Sequence, residues 1–134
     1  MRFLVDTSIW SLVLRRAGKT AMPESQELRR LISNRRVEII GPIRQEILSG
    51  IRESSQFEQL TSHLAAFSDA PLLTEDYITA AQFYNICRAK GIQGSNTDFL
   101  ICAVAARNSF AIFTADGDFK HFAKHLPILL HHAE

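Results

Sequence analysis

Four carboxylates in this 134-residue chain fall where their type and spacing point to chemistry: Asp6, Glu46, Asp98 and Asp116. Asp6 follows the apolar run Phe3-Leu4-Val5 directly, and Asp116 comes two residues after the apolar run 111–114. Glu46 lies in the first turns of a helical pattern that follows the apolar run 37–40, and Asp98 opens a helical pattern behind Gly94-Ser95-Asn96. Each alone also reads blandly, as a helix cap, a turn or a solvated helix residue. Together they are costly, since two like charges ~4 Å apart repel by about 4 kcal/mol at an effective dielectric near 20. A cluster must therefore be partly protonated or hold a cation. All-oxygen donors favour Mg²⁺ or Mn²⁺ over zinc. Such a site suits in-line attack of metal-activated water on a phosphodiester, with no nucleophilic side chain.

The elements between these acids decide whether they meet. Short apolar runs alternate with longer helical patterns, which predicts an α/β domain with a mostly parallel sheet. Strands are expected over 3–5, 37–40 and 111–114, with an edge strand over 126–130 confined by Pro127. Helices are expected over 8–17, capped by Thr7 or Ser8, and over 24–34, with Leu28, Leu31 and Ile32 on its apolar stripe. A turn over 18–23 separates those two. Further helices are expected over 43–48, from Ser54 or Ser55 to 67, over 77–90, 98–107 and 118–124. In an open parallel sheet the carboxyl ends of the strands share one edge, and the following helices start there. The four acids, distant in sequence, should converge on that rim.

Composition narrows the class. One domain over residues 1–134 is expected, since this length buries roughly two-thirds of the unfolded surface around a single core. Hydrophobic residues make up 46% and charged residues 22%, as in an ordinary globular chain. The net charge of +1 divides unevenly: residues 1–52 hold ten Lys/Arg against five Asp/Glu, and residues 53–134 hold five against nine. Cys87 and Cys102 lack the spacing of a zinc site and read as buried free thiols. There is no membrane-length apolar run, and an Asp at position 6 comes too early for a signal peptide, so a cytoplasmic protein is expected.

The pattern resembles a known family. Phe3-Leu4-Val5-Asp6-Thr7-Ser8 is similar to the opening motif of PIN-domain nucleases, particularly the VapC toxins of bacterial toxin–antitoxin pairs. Glu46, within Pro42-Ile43-Arg44-Gln45-Glu46-Ile47-Leu48-Ser49-Gly50, matches the second acid of that family. Asp98 matches the third, on a helix of small and aliphatic residues, and Thr114-Ala115-Asp116-Gly117-Asp118-Phe119 matches the closing motif. The resemblance runs from residue 3 to 119 and implies a Mg²⁺- or Mn²⁺-dependent endoribonuclease. It implies Asp6, Asp98 and Asp116 as metal-side carboxylates, Glu46 completing the catalytic set, and Asp118 beside Asp116. Thr7, Asn96 and Thr114 would hydrogen-bond the acids. It also implies a cognate antitoxin and a homodimer. The stretch 51–75 carries no motif of the family.

Basic and aromatic residues complete the expectations. Arginine outnumbers lysine eleven to four, with pairs at Arg15-Arg16, Arg29-Arg30 and Arg35-Arg36. Arg44, close to Glu46, is the expected RNA contact at the rim. Trp10, Phe83 and Tyr84 read as packing residues. The helical patterns 8–17 and 24–34 form the expected antitoxin groove, with Ile9 to Leu14 apolar more broadly than one stripe needs. His121 and His125 lack a third ligand motif, and His131 and His132 read as a tail without a role. Two rival functions are weighed. A phosphotransfer site using Asp6 would need a second Asp where Ser8 stands. A non-cleaving PIN-like module that binds RNA or protein is the alternative from another class.

Overall fold

A computed structural model describes residues 1–15 and 22–133. Four short strands, β1 (Phe3–Val5), β2 (Val37–Glu38), β3 (Ala111–Phe113) and β4 (Leu129–His131), form one parallel sheet in the order β2-β1-β3-β4. Parallel neighbours require crossovers, which the helices supply. They are α1 (Thr7–Arg15), α2 (Pro23–Ser33), α3 (Gly41–Leu48), α4 (Ser54–Leu64), α5 (Thr74–Ala89), α6 (Asn96–Asn108) and α7 (Asp118–Ala123). None of the described helices is long and apolar enough to cross a membrane.

The central pairing sets the position of everything else. Phe3, Leu4 and Val5 lie opposite Ala111, Ile112 and Phe113, and all six are buried. Unbroken apolar runs are what burial on both faces of a parallel sheet demands. Continuing that register brings Asp6 alongside Thr114, and the Asp6 N–H donates to the Phe113 carbonyl at 2.9 Å. Behind the sheet edge, α6 buries Phe99 to Ala105 without a break, so it is a core helix and not an amphipathic one. Phe99, Phe113, Phe119 and Phe122 are among the largest fully buried side chains.

The structure departs from the sequence reading in places with physical causes. Helix α1 starts at Thr7, because the Asp6 carbonyl already accepts the N–H of Ile9 at 3.1 Å. Ser8 thus lies in the first turn and is no cap. The far end of the helix expected over 8–17, and most of the turn expected over 18–23, lie outside the described residues. In α2, Leu28 and Leu31 are buried as expected, but Ile32 is exposed. Strand β2 ends early because Ile39 bridges to Asp69, whose neighbour Ala70 donates its N–H to the Ile39 carbonyl at 2.8 Å.

Strand β4 forms at Leu129–His131, leaving Pro127 outside the ladder it cannot donate to. His131, read as tail, therefore pairs opposite Phe113, with its ring centroid 4.6 Å from that of Phe3. Its Nε2 lies 2.5 Å from Glu27 Oε2. Trp10 is core, donating Nε1–H to the Val5 carbonyl at 3.1 Å and meeting Phe67 edge-on. Phe83 is buried, and Tyr84 meets Phe99 edge-on.

Asp76 joins α5 to the far end of α6. Its carboxylate accepts the Leu73 N–H at 2.8 Å and the Arg107 fork at 2.6 and 2.9 Å. The Arg107 bonds hold the carboxyl below its ordinary range, against the opposing effect of burial. A depressed pKa contributes stability above the unfolded value of 3.8, and that stability is lost as pH falls through the folded value. Asp76→Ala should lower the Tm by roughly 5–10 °C at pH 7, a gap that narrows in melts taken as pH falls below 3.8 through the folded value. Gly94 precedes α6, and a Cβ there would come within 2.6 Å of the Phe122 ring and 3.0 Å of the Phe99 ring. Both rings are fully buried and cannot give way, so Gly94→Ala should lower the Tm by about 3–8 °C.

Candidate active site

Asp6 is the fixed point of the rim. It is only 6% exposed, and Ser8 Oγ and Thr114 Oγ1 each donate to its Oδ2 at 2.8 Å. Ser8 Oγ in turn accepts the Ala115 N–H at 2.9 Å, and Thr114 Oγ1 accepts the Asp116 N–H at 3.0 Å. The two hydroxyls thereby lock the end of β1 to the loop leaving β3. Both fall on the same carboxylate oxygen, and among the described residues Oδ1 receives no hydrogen bond. Ser8 was missed as a site residue. Its sequence signal is a hydroxyl two positions after the strand-terminal acid.

Asp98 enters the rim from the first turn of α6. It forms a reciprocal cap with Ser95: Asp98 Oδ2 accepts the Ser95 N–H at 3.0 Å, and the Asp98 N–H donates to Ser95 Oγ at 3.1 Å. Burial pushes the Asp98 carboxyl above its ordinary value, the two Ser95 bonds oppose that, and the charges of Asp6 and Asp116 add to the rise. The three carboxylates are therefore near enough to share one electrostatic field. Asp116 is positioned by the turn into α7, its Oδ1 accepting the Asp118 N–H at 2.9 Å. Asp118 is exposed and supports Asp116 through that backbone bond. On the same helix as Asp98, burial raises the Cys102 thiol far above its ordinary value, which leaves it inert at neutral pH.

Glu46 joins from α3, where Thr7 Oγ1 donates to its Oε1 at 2.7 Å. This bond ties the second acid to the residue that follows Asp6. Asn96 sits exposed at the start of α6, and its side chain has no hydrogen bond among the described residues. A cleft of about 250 Å³ adjoins the Asp116 side, lined by Glu24, Thr114, Asp116 and Lys120 among others. Glu24 Oε2 is buried with no hydrogen-bond partner among the described residues, which adds an acid from α2 that sequence reasoning missed. Nothing in its local pattern separates it from a helix-start glutamate.

Arg44 is the clearest correction. Expected at the rim as an RNA contact, it turns its guanidinium to Asp69 Oδ1 at 3.0 Å, to the Leu64 carbonyl at 2.9 Å and to the Phe67 carbonyl. It clamps the end of α4 and the following turn, with three of its N–H donors engaged there. The expected apolar groove also shifts. Ile9, Trp10, Leu28 and Leu31 are core, whereas Val13 and Leu14 line a cleft of about 620 Å³ with Ile47, Ile51 and Leu60. That cleft lies between α1, α3 and α4, away from α2.

The donor set fits a hard divalent cation in kind: the acids bring carboxylate oxygens, one of them on a buried residue with a bare Oδ1, while one imidazole, that of His132, lines the cleft beside Asp116. It is not a closed cage. Among the described residues, no three His, Cys, Asp or Glu side chains are disposed to grip one ion as they stand.

Comparison with known proteins places the chain. The PIN domain family profile matches residues 3–125. No curated protein sequence matches. Among solved structures, VapBC2 from Rickettsia felis bound to a promoter DNA fragment superposes with a TM-score of 0.76 at 18% identity, covering 98% of both chains. FitAcB from Neisseria gonorrhoeae gives 0.76 at 19% identity over 98% of this chain and 97% of that one. DNA-bound VapBC from Salmonella typhimurium gives 0.73 at 16% identity over 98% and 97%. At these identities the likeness is one of fold. The match over nearly the whole chain, on a parallel sheet that carries its acids at the expected edge, shows that this protein belongs to the PIN domain family.

Proposed function

We propose that the protein is a Mg²⁺- or Mn²⁺-dependent endoribonuclease of the VapC toxin type, hydrolysing RNA phosphodiester bonds. The observation that carries this reading is the meeting of Asp6, Asp98 and Asp116 at one sheet edge, where burial raises the Asp98 pKa and the charges of Asp6 and Asp116 add to it. Family membership supports nuclease chemistry, and the likeness in fold to VapBC and FitAcB complexes supports a toxin partnered by an antitoxin. Asp6, Asp98 and Asp116 would hold the cation. When bound, it supplies positive charge to offset theirs and to acidify water.

The chain's own groups do the rest. Ser8 and Thr114 hold Asp6 through its Oδ2, and its Oδ1 would be the oxygen offered to the cation. Glu46, oriented by Thr7, is the candidate to accept a proton from the attacking water. That water forms the new bond to phosphorus, the bond to one ribose oxygen breaks, and a proton goes to the leaving oxygen. Asp118 steadies Asp116 through its N–H.

The partners follow from the surfaces. The cleft beside Val13 and Leu14 is the proposed seat of an antitoxin segment. Tyr77 and Ile78, each more than half exposed on α5, are the proposed contact with a second copy. Residues 1–134 would act as a single nuclease domain in the cytoplasm, where its RNA is. The absence of a closed cation cage among the described residues favours one alternative, a PIN-like module that binds RNA or protein without cutting.

Cleavage assays separate the two. Asp6→Asn and Asp98→Asn should each reduce Mn²⁺-dependent RNA cleavage by at least roughly 100-fold with the circular dichroism spectrum unchanged. Undiminished cleavage by both variants removes the mechanism, and no cleavage by the wild type favours the binding module. Thermal melts test the charge argument. In EDTA at pH 7, Asp98→Asn should melt above the wild type, because it removes a carboxylate that burial and its neighbours disfavour. A raised pKa means stability present below the unfolded value of 3.8 and lost as pH rises through the folded value, so the excess should shrink as pH falls through the folded value and be gone below 3.8. Mn²⁺ should reverse the order by stabilising only the wild type.

A further inference from the structure

Beside Glu46 the rim opens into a cleft of about 500 Å³, walled by α1, α3 and the start of α6. Thr7, Ser11, Pro42, Gln45, Glu46 and Thr97 are among its lining. Thr7 and Glu46 are committed to one another at 2.7 Å. The side chains of Ser11, Gln45 and Thr97 make no hydrogen bond among the described residues, although they surround one concavity. Among the described residues no basic side chain lines it, and the one charged group is the Glu46 carboxylate. Such a wall repels a phosphate and suits the neutral part of a nucleotide. Three unpaired polar groups and the ring of Pro42 are what a flat, polar heterocycle needs around it. Gln45 is exposed, and its amide offers a donor and an acceptor side by side, the arrangement that pairs bidentately with an adenine edge. Bases of single-stranded RNA present such edges freely.

We infer that this cleft receives an unpaired nucleobase adjoining the scissile phosphate, and that Gln45 reads that base, with adenine the best fit. The inference rests on the ribonuclease reading above and adds the specificity to it. The ribose and phosphate of that nucleotide then pass over Glu46 toward Asp6.

The test uses purified full-length protein, Mn²⁺ and a pool of short single-stranded RNAs with randomised positions, with cut sites mapped by sequencing. The wild type should prefer adenine at a position adjoining the cut, and a preference for another base there overturns the assignment to Gln45. Gln45→Ala should weaken that preference at least threefold, and Gln45→Glu should shift it toward cytosine, whose amino group a carboxylate accepts from. A base distribution unchanged in both variants, a wild type without preference, or an equal loss of rate on every base overturns the inference while the nuclease reading stands. A wild type that cuts nothing overturns both, which distinguishes the two failures.

Discussion

A carboxylate at the end of a central buried strand is stable only where donors or a cation meet it, and Asp6 is that carboxylate. Ser8 and Thr114 supply two donors to one of its oxygens and leave the other open. This one residue links fold and chemistry. Its main chain continues the β1–β3 ladder through the bond to Phe113, and its carbonyl starts α1. Moving Asp6 would shift the ladder, the helix start and the rim together.

Other parts of the molecule bring further negative charge to that point. Residues in register beyond the paired strands place Thr114 beside Asp6, and the loop from Thr114 places Asp116. The Ser95–Asp98 cap fixes the third acid at a helix start, where the macrodipole favours it. Burial and neighbouring charge still push Asp98 upward, so the site is destabilised by its own composition. The remainder of the fold has to offset this, through the aromatic core around Phe99, Phe113, Phe119 and Phe122 and through anchors such as Asp76–Arg107.

The parts of this account that were legible in the sequence are those encoded locally. An apolar triplet followed by Asp-Thr-Ser names a buried strand and its terminal acid, and alternation of strand and helix patterns implies the parallel sheet. What was not legible depends on contacts across the fold. Arg44 sits two residues before Glu46 in the chain, yet its guanidinium answers the open carbonyls at the end of α4. Glu24 looks like any helix-start acid until α2 packs beside the loop carrying Asp116. His131 looks like tail until β4 pairs with β3. Short strands also end where side-on partners are found, as Ile39 shows with Asp69, and no local periodicity specifies that.

The central claim is that the three aspartates form one cation site. The most direct measurement is anomalous diffraction at the manganese edge from crystals grown with MnCl₂. The account predicts a peak within coordination distance of Asp6, Asp98 and Asp116, about 2.0–2.3 Å from their oxygens. Saturating Mn²⁺ with no peak at the rim, or a peak held only elsewhere on the surface, would contradict it.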